Sequence, residues 1–346
     1  MAATIYDVAK KAGVGIGTVS RAINNSPRIA QKTKTRVLEA VKDLNYKPHA
    51  MAQGLARNRT NTIAVIVPVF TGYFFQQLLS GVQQEIIRSE YNLMLYSVDQ
   101  VDKACYFMNK IIHEKRVDGV LYISMKLYEK DVLHCIKHKF PIVLIDSYHP
   151  DLDSITVENR KGAYQATTHL INQGHKRVAM IDGNLRSLPA QIRLSGYKRA
   201  LEDNHIPFDD QYLVISDVDT TRDGFNEQAG YQAMNQLLQL RDKKPTAVFV
   251  ASDIQAVGAI KLIKKKKLRI PDDIAIVGFD DIELAEYLGL TTMRQPMFEM
   301  GVMGVKRLLQ RVKDEKLAHF NKHFTPELII RNSCGSQKST YTKTTA

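Results

Sequence analysis

TIYDVAKKAGVGIGTVSRAIN occupies residues 4–24. Thr4 followed by Asp7 has capping-box spacing, with Asp in place of the usual Glu or Gln, and predicts a helix start. Ile5, Val8, Ala9 and Ala12 recur at i, i+3, i+4 and i+7, which is one apolar helix face. Gly13 suits the left-handed conformation that ends a helix. A second short helix is expected over about 15–24. Two such helices joined by a Gly-containing turn read as a helix-turn-helix. A third helix is expected over about 31–45, with Val37, Val41 and Leu44 on one side. Tyr46-Lys47-Pro48 stops it, because proline disfavours helical geometry in the residue before it.

At about 100° per residue, Gly17, Ser20, Arg21 and Asn24 share one face of the second helix, and Ile16, Val19 and Ile23 share the opposite one. The first face is small and polar with one long cation, as major-groove readout requires. Arg pairs bidentately with guanine, and Asn with adenine. Gly13, Gly15 and Gly17 make no phosphate loop, since no strand precedes them and the spacing is incomplete.

Charge agrees with this reading. Residues 1–60 hold eleven Lys or Arg against three Asp or Glu, a net +8 of the chain's +12, while 286 residues share the rest. A polyanion-binding head on a nearly neutral body follows. Residues 49–60 contain a short helix-capable stretch flanked by Arg57 and Arg59, marginal by itself in water.

From Thr62 onward the pattern changes. Short apolar runs recur at 63–67, 93–96, 119–123, 142–145, 178–181, 247–250 and 274–277, and most alternate with helical stretches. Such runs suit buried parallel strands covered on both faces. Their number predicts an α/β body of two similar lobes with parallel sheets, behind an all-α head. The polar segment 336–346 is expected to be a disordered tail.

Other chemistries are weakly represented. Three well-separated cysteines (Cys105, Cys135, Cys334) form neither a disulfide framework nor a zinc pair, and predict a reducing, cytoplasmic setting. No apolar run is long enough for a membrane span, and no secretory signal is expected. His134 and His138 have i, i+4 metal spacing, but no third ligand is evident nearby in sequence, so they read as a solvated helix face. The lysine run 264–267 reads as a solvated helix end. No G-x-S-x-G or HExxH motif occurs, so neither an enzyme nor a cofactor is expected.

Several stretches together carry a resemblance. They are Thr4-Ile5-Tyr6-Asp7-Val8-Ala9, Ala12-Gly13-Val14, Thr18-Val19-Ser20-Arg21, Leu44-Asn45-Tyr46-Lys47-Pro48, Asn172-Gln173-Gly174-His175-Lys176-Arg177, Gly196-Tyr197-Lys198-Arg199-Ala200-Leu201, Val277-Gly278-Phe279-Asp280-Asp281 and Leu290-Thr291-Thr292-Met293-Arg294-Gln295-Pro296. The chain resembles the LacI/GalR family of bacterial transcription regulators, and residues 295–298 resemble its catabolite-control branch. The resemblance implies a helix-turn-helix head (1–47), a hinge helix (48–60) and a two-lobed body (61–335) similar to periplasmic sugar-binding proteins. The N-lobe would span about 61–160 and 295–323, the C-lobe about 161–292 and 324–335.

It further implies a homodimer on double-stranded, pseudo-palindromic operator DNA, associated with the nucleoid when bound. Base contacts would come from Ile16 and Gly17, with Thr18, Ser20, Arg21 and Asn24. Here the helical wheel and the resemblance diverge, since the wheel places Ile16 on the core side. Gly17 has no side chain to read with, which shifts weight to Arg21 and the hinge. Ala52 and Leu55 would enter the minor groove, with Leu55 wedging a base step. Two departures from the family pattern are His49 after the Tyr-x-Pro and Ala30 where a Ser cap is usual.

An effector site is expected between the lobes from Tyr73, Phe74, Asp146, Arg193, Asp253, Asp280 and Gln295, all placed at or just beyond expected strand ends, where ligands of open α/β sheets collect. Arg193 and Asp280 carry the family match. The expected function is a repressor of carbohydrate-use genes switched by a small sugar or sugar-phosphate. The alternative keeps the DNA-binding regulator and replaces the small effector by a phosphorylated carrier protein.

Overall fold

In the computed structural model, which describes residues 3–46, 59–68, 72–98, 101–216, 224–240 and 243–336, the Thr4 capping box is complete. Asp7 N–H donates to Thr4 Oγ1 at 3.4 Å, and Thr4 N–H donates to the Asp7 carboxylate at 2.8 Å. The Thr4 hydroxyl also donates to the Asp7 carboxylate at 2.7 Å, and this bond, with that from Thr4 N–H, holds the carboxyl below its ordinary pKa. The chain divides into two compact units, 1–61 and 62–346.

The first unit contains α1 (Ile5–Ala12), α2 (Ile16–Ile23) and α3 (Gln31–Asp43). All three end alike. Gly13, Asn25 and Asn45 adopt left-handed backbone. The next N–H in each case (Val14, Ser26, Tyr46) reaches back to the carbonyl of Ala9, Arg21 or Val41. This is the Schellman closure, which satisfies carbonyls the helix would orphan. α3 therefore stops at Asp43, short of the expected Asn45. Its N-cap is Ala30, which makes no side-chain capping bond. Val8, Ala9, Ala12, Val19, Ala22, Val37 and Ala40 form a small core where the three helices meet.

The second unit contains two six-stranded sheets. The first comprises β1 (Thr62–Val67), β2 (Asn92–Ser97), β3 (Gly119–Ile123), β4 (Ile142–Ile145), β5 (Asp153–Val157) and β11 (Asn321–Phe324), in the order β11-β5-β4-β3-β1-β2. The second comprises β6 (Val178–Asp182), β7 (Leu213–Ile215), β8 (Ala247–Val250), β9 (Ala275–Asp280), β10 (Thr291–Arg294) and β12 (Glu327–Ile329), in the order β12-β10-β9-β8-β6-β7. All pairings are parallel except β10 with β12. The two lobes thus repeat one strand order and differ in the direction of the last edge strand, and the chain passes between them after β5, after β10 and between β11 and β12.

Both faces of each sheet are covered, as continuous apolar strands demand. On β1, Ile63, Val65 and Val67 enter one core while Ala64 and Ile66 enter the other. The N-lobe helices are α4 (Tyr73–Ile87), α5 (Val101–Glu114), α6 (Glu129–Lys137) and α12 (Met297–Lys313). Those of the C-lobe are α7 (Asn159–Asn172), α8 (Leu188–Asp203), α9 (Glu227–Leu238), α10 (Asp253–Lys265) and α11 (Glu283–Tyr287).

Two N-lobe features explain how chain returning from the C-lobe is held. α12 lies backbone-to-backbone on α4. A Cβ added at Gly301 would sit 2.1 Å from Leu78 O, and one at Gly81 would sit 2.0 Å from Phe298 O. Asp153, at the start of β5, is fully buried beneath Arg307 and Arg311 of α12. Its oxygens accept from Arg307 Nε at 2.7 Å, Arg311 Nη2 at 2.8 Å and Phe320 N at 2.9 Å. Burial alone would raise this carboxyl, but the two guanidinium groups outweigh it and the net shift is downward.

Candidate functional site

In the first unit, α2 presents a small, polar, exposed start. Gly15 provides no side-chain cap, although its carbonyl accepts from Thr18 N–H at 2.8 Å. Val19 and Ala22 face the core. Ile16 does not. It is 40% exposed, which corrects the helical wheel. The wheel assigns a face by angle alone, whereas the first residue of a helix has no preceding turn to pack beneath. Gly17 and Arg21 are exposed beside it, and Thr18, Ser20 and Asn24 are half-buried. Arg21 lies along the space left by Gly17, its Nε donating to Gly17 O at 3.0 Å. Asn24 Nδ2 donates to Ser20 Oγ at 3.4 Å. A groove-reading role requires Arg21 to exchange that carbonyl for a base. Ala52, Leu55 and His49 lie outside the described residues.

In the second unit, Arg193 is the centre of a buried polar cluster. It extends from within α8 rather than from a strand end, which corrects the expected placement. The side chain is long enough to reach the strand ends, and it is only 4% exposed. Nε donates to Asn159 Oδ1 at 2.8 Å, and Nη1 donates to Ala251 O at 2.5 Å. Nη1 also lies 4.0 Å from Asp280 Oδ1. The guanidinium stacks 3.9 Å from the centroid of the Phe279 ring, a cation–π geometry.

The Val277–Asp281 motif is explained residue by residue. Gly278 leaves room for the Asp253 carboxylate, since a Cβ there would lie 2.1 Å from Asp253 Oδ1. Phe279 supports Arg193. Asp280, with φ 127°, accepts from Gln295 Nε2 at 2.6 Å. Asp281 pairs with Arg294 at 2.7 Å and Arg331 at 2.8 Å.

Asp253, one of the expected effector ligands, is fully buried and already engaged. It accepts from Thr292 Oγ1 at 2.7 Å and Ile282 N at 3.1 Å. It braces β9 and β10 beneath Asp280 instead of opening toward a ligand. Burial and the two carboxyls' mutual repulsion raise the Asp253 pKa. Burial raises that of Asp280 too, against Arg193 and Gln295, with Asp146 adding to the rise.

That last influence matters, because Asp146 belongs to the other lobe. It stands just past β4, takes left-handed backbone (φ 52°), and accepts from Ser124 Oγ at 2.8 Å. Ser124, just past β3, has φ 53°. Ser124, Asp146 and Asp280 are therefore non-glycine residues held at positive φ at the carboxyl ends of strands of both sheets. Backbone strain of this kind collects at ligand sites. Tyr73 opens α4 half-exposed. Phe74 packs on the N-lobe core, edge-to-face with Phe75 at 5.1 Å.

Sequence reasoning missed Asp182, the last residue of β6. Its carboxyl is completely buried, with Oδ1 accepting from Gly183 N at 2.8 Å and Oδ2 without a partner. Burial pushes it up to about 8 despite the nearby Arg193. Ser216 Oγ and Gln295 Oε1 are also buried without partners. The C-lobe thus leaves three buried polar atoms unpartnered, one carboxyl, one hydroxyl and one amide oxygen, and a ligand that both donates and accepts hydrogen bonds would satisfy them.

Known proteins resolve what this arrangement belongs to. Residues 4–49 match the bacterial regulatory proteins of the lacI family, and residues 167–334 match the periplasmic binding protein-like domain. Catabolite control protein A of Priestia megaterium is 34% identical, with 91% of this chain and 94% of that protein covered. The chain belongs to the LacI family. It is accordingly a DNA-binding transcriptional repressor with a ligand-binding body. The lac repressor dimer bound to operator and the anti-inducer ONPF superposes with a TM-score of 0.77 at 27% identity, covering 96% of this chain and 99% of that one. The complex of the regulator CelR with cellobiose gives 0.70 at 28%, with the same coverage. These relatives are regulators rather than enzymes. Among the described residues, no helix of this LacI-family chain is long and apolar enough to cross a membrane.

Proposed function

We propose that this chain is a homodimeric repressor of carbohydrate-use genes, released from or held on its operator by a small sugar bound between the lobes. The observation that carries the proposal is the buried Arg193–Asp280 pair of one lobe, with Asp146 at a strand end of the other lobe close enough for its charge to raise the Asp280 pKa. A polyol in that cleft donates to carboxylates of both lobes, while its apolar face lies against an aromatic ring. It therefore favours the closed arrangement. It shifts DNA affinity only by its differential affinity for the two lobe arrangements. The segment 48–60, which joins head to body, is the element through which that preference reaches the DNA. Two copies are needed because one helix-turn-helix covers a single half-site.

A second reading replaces the sugar by a phosphorylated carrier protein as corepressor. The likeness to catabolite control protein A motivates it. The intact arginine–aspartate pair argues for the small ligand, since a regulator relieved of that duty has no need to keep Asp280 and Asp182 buried beside one guanidinium. Sequencing of genomic fragments retained by the full-length protein tests the main proposal. The expected result is a pseudo-palindrome whose footprint spans two half-sites. An asymmetric single half-site contradicts the dimer, and calorimetry in which a phosphorylated carrier binds but sugars do not contradicts the sugar.

A further inference from the structure

Away from the cleft, α5 and α6 bring three histidines together. His134 and His138 lie one turn apart, and His113 comes from the last turn of α5. Their ring centroids are separated by 4.4 Å (His134–His138), 5.4 Å (His113–His134) and 6.3 Å (His113–His138). In a tetrahedral site with nitrogen–zinc bonds of about 2.0–2.1 Å, imidazole centroids stand about 5 Å apart. The observed spacings bracket that value. Asp131 shares the stripe, at i, i+3 and i+7 with His134 and His138. It is 3% exposed, and its Oδ2 has no partner. His134 Nε2 is likewise buried without a partner. Two orphaned ligand atoms, one from an acid and one from an imidazole, are unusual in one small cluster.

We propose that His113, His134 and His138 bind a divalent transition-metal ion of the zinc class, with Asp131 as fourth ligand or as the carboxylate orienting His134. Imidazole nitrogens suit zinc, nickel and copper ions. Among the described residues no set of three ligating side chains already converges on one point. The ring planes are inclined to one another by 50°, 53° and 64°, and convergence requires rotation of His113 and His138, both of which are exposed. The bound ion would pin α5 to α6 on the N-lobe, independently of the ligand cleft.

The test is calorimetric titration of zinc chloride into the full-length protein, purified without a histidine tag and stripped with a chelator. The expected result is one ion per chain. His113→Gln, His134→Gln and His138→Gln should each weaken binding at least tenfold, and His175→Gln in the C-lobe should leave it unchanged. Cobalt(II) bound at the same stoichiometry should give a tetrahedral visible spectrum that these three variants abolish. Absence of saturable binding, or binding that survives both His113→Gln and His138→Gln, overturns the proposal. Those two exposed positions keep the test decisive even if His134→Gln impairs folding.

Discussion

Arg21 and Asp182 show what single side chains decide here. Arg21 is the one long cation on the exposed face of α2, and it rests on its own helix through Gly17 O. Arg21→Ala should cost about 1–3 kcal/mol on the cognate operator and relax sequence choice there. Binding to random DNA should change little, because phosphate contacts come from the other basic residues of the head. Fluorescence anisotropy on the two DNAs measures the difference, and equal losses on both would remove Arg21 from base reading. Asp182 bears on stability instead. Its folded-state pKa, about 8, lies above the ordinary carboxylate value. Between those limits the native state binds more protons than the unfolded one, so stability falls as pH rises from about 4 to about 8. Asp182→Asn should flatten that slope and raise stability at pH 8 by several kcal/mol at most, since one pKa unit corresponds to about 1.4 kcal/mol. Urea denaturation at pH 5 and pH 8 reads this directly. A variant with the wild-type slope would mean that another group sets it. Asp182 was readable in principle, as an acid ending an apolar strand just as Asp146 follows one. Its orphaned oxygen was not, because sequence carries no record of which partners a fold withholds.

At the scale of elements, legibility follows local chemistry. The Thr4 cap and the Gly13 stop were readable because each is a local backbone rule. The left-handed ends at Asn25 and Asn45 use the same rule with a less diagnostic residue. Continuous apolar strands such as β3, β4 and β8 were legible at their observed limits. β5, β11 and β12 were not. β5 begins with Asp153, a charge whose burial depends on two arginines more than 150 residues away, and β11 is a polar edge strand. The contact of α4 with α12 was also hidden, although its cause lies in Gly81 and Gly301. Gly301→Ala should destabilise the protein by about 1–3 kcal/mol or more, because the methyl meets a backbone carbonyl that cannot rotate away. The unfolding midpoint in urea measures it, and a midpoint equal to wild type would show that the two helices separate without cost.

On the scale of the whole molecule, the account rests on division of labour. The basic head carries the helix-turn-helix match and the two-lobed body the ligand-binding match, and the proposed ligand site lies at the carboxyl ends of the strands of both lobes. The family motifs made this division readable, and they singled out Arg193 and Asp280, which the fold brings within 4.0 Å of each other. They did not reveal that Asp253 is buried as a brace, since a motif records residue types and not which atoms are already engaged. The most direct test is operator affinity of wild type and Arg193→Ala, by anisotropy, across a panel of free sugars and sugar-phosphates. Residue 193 lies in a different unit from the head, so the two proteins should bind operator nearly equally without ligand. At least one sugar should change wild-type affinity by a factor corresponding to about 1–3 kcal/mol of coupling, and the variant should not respond. A variant that responds as fully as wild type would contradict the account, as would a wild type indifferent to every sugar tested.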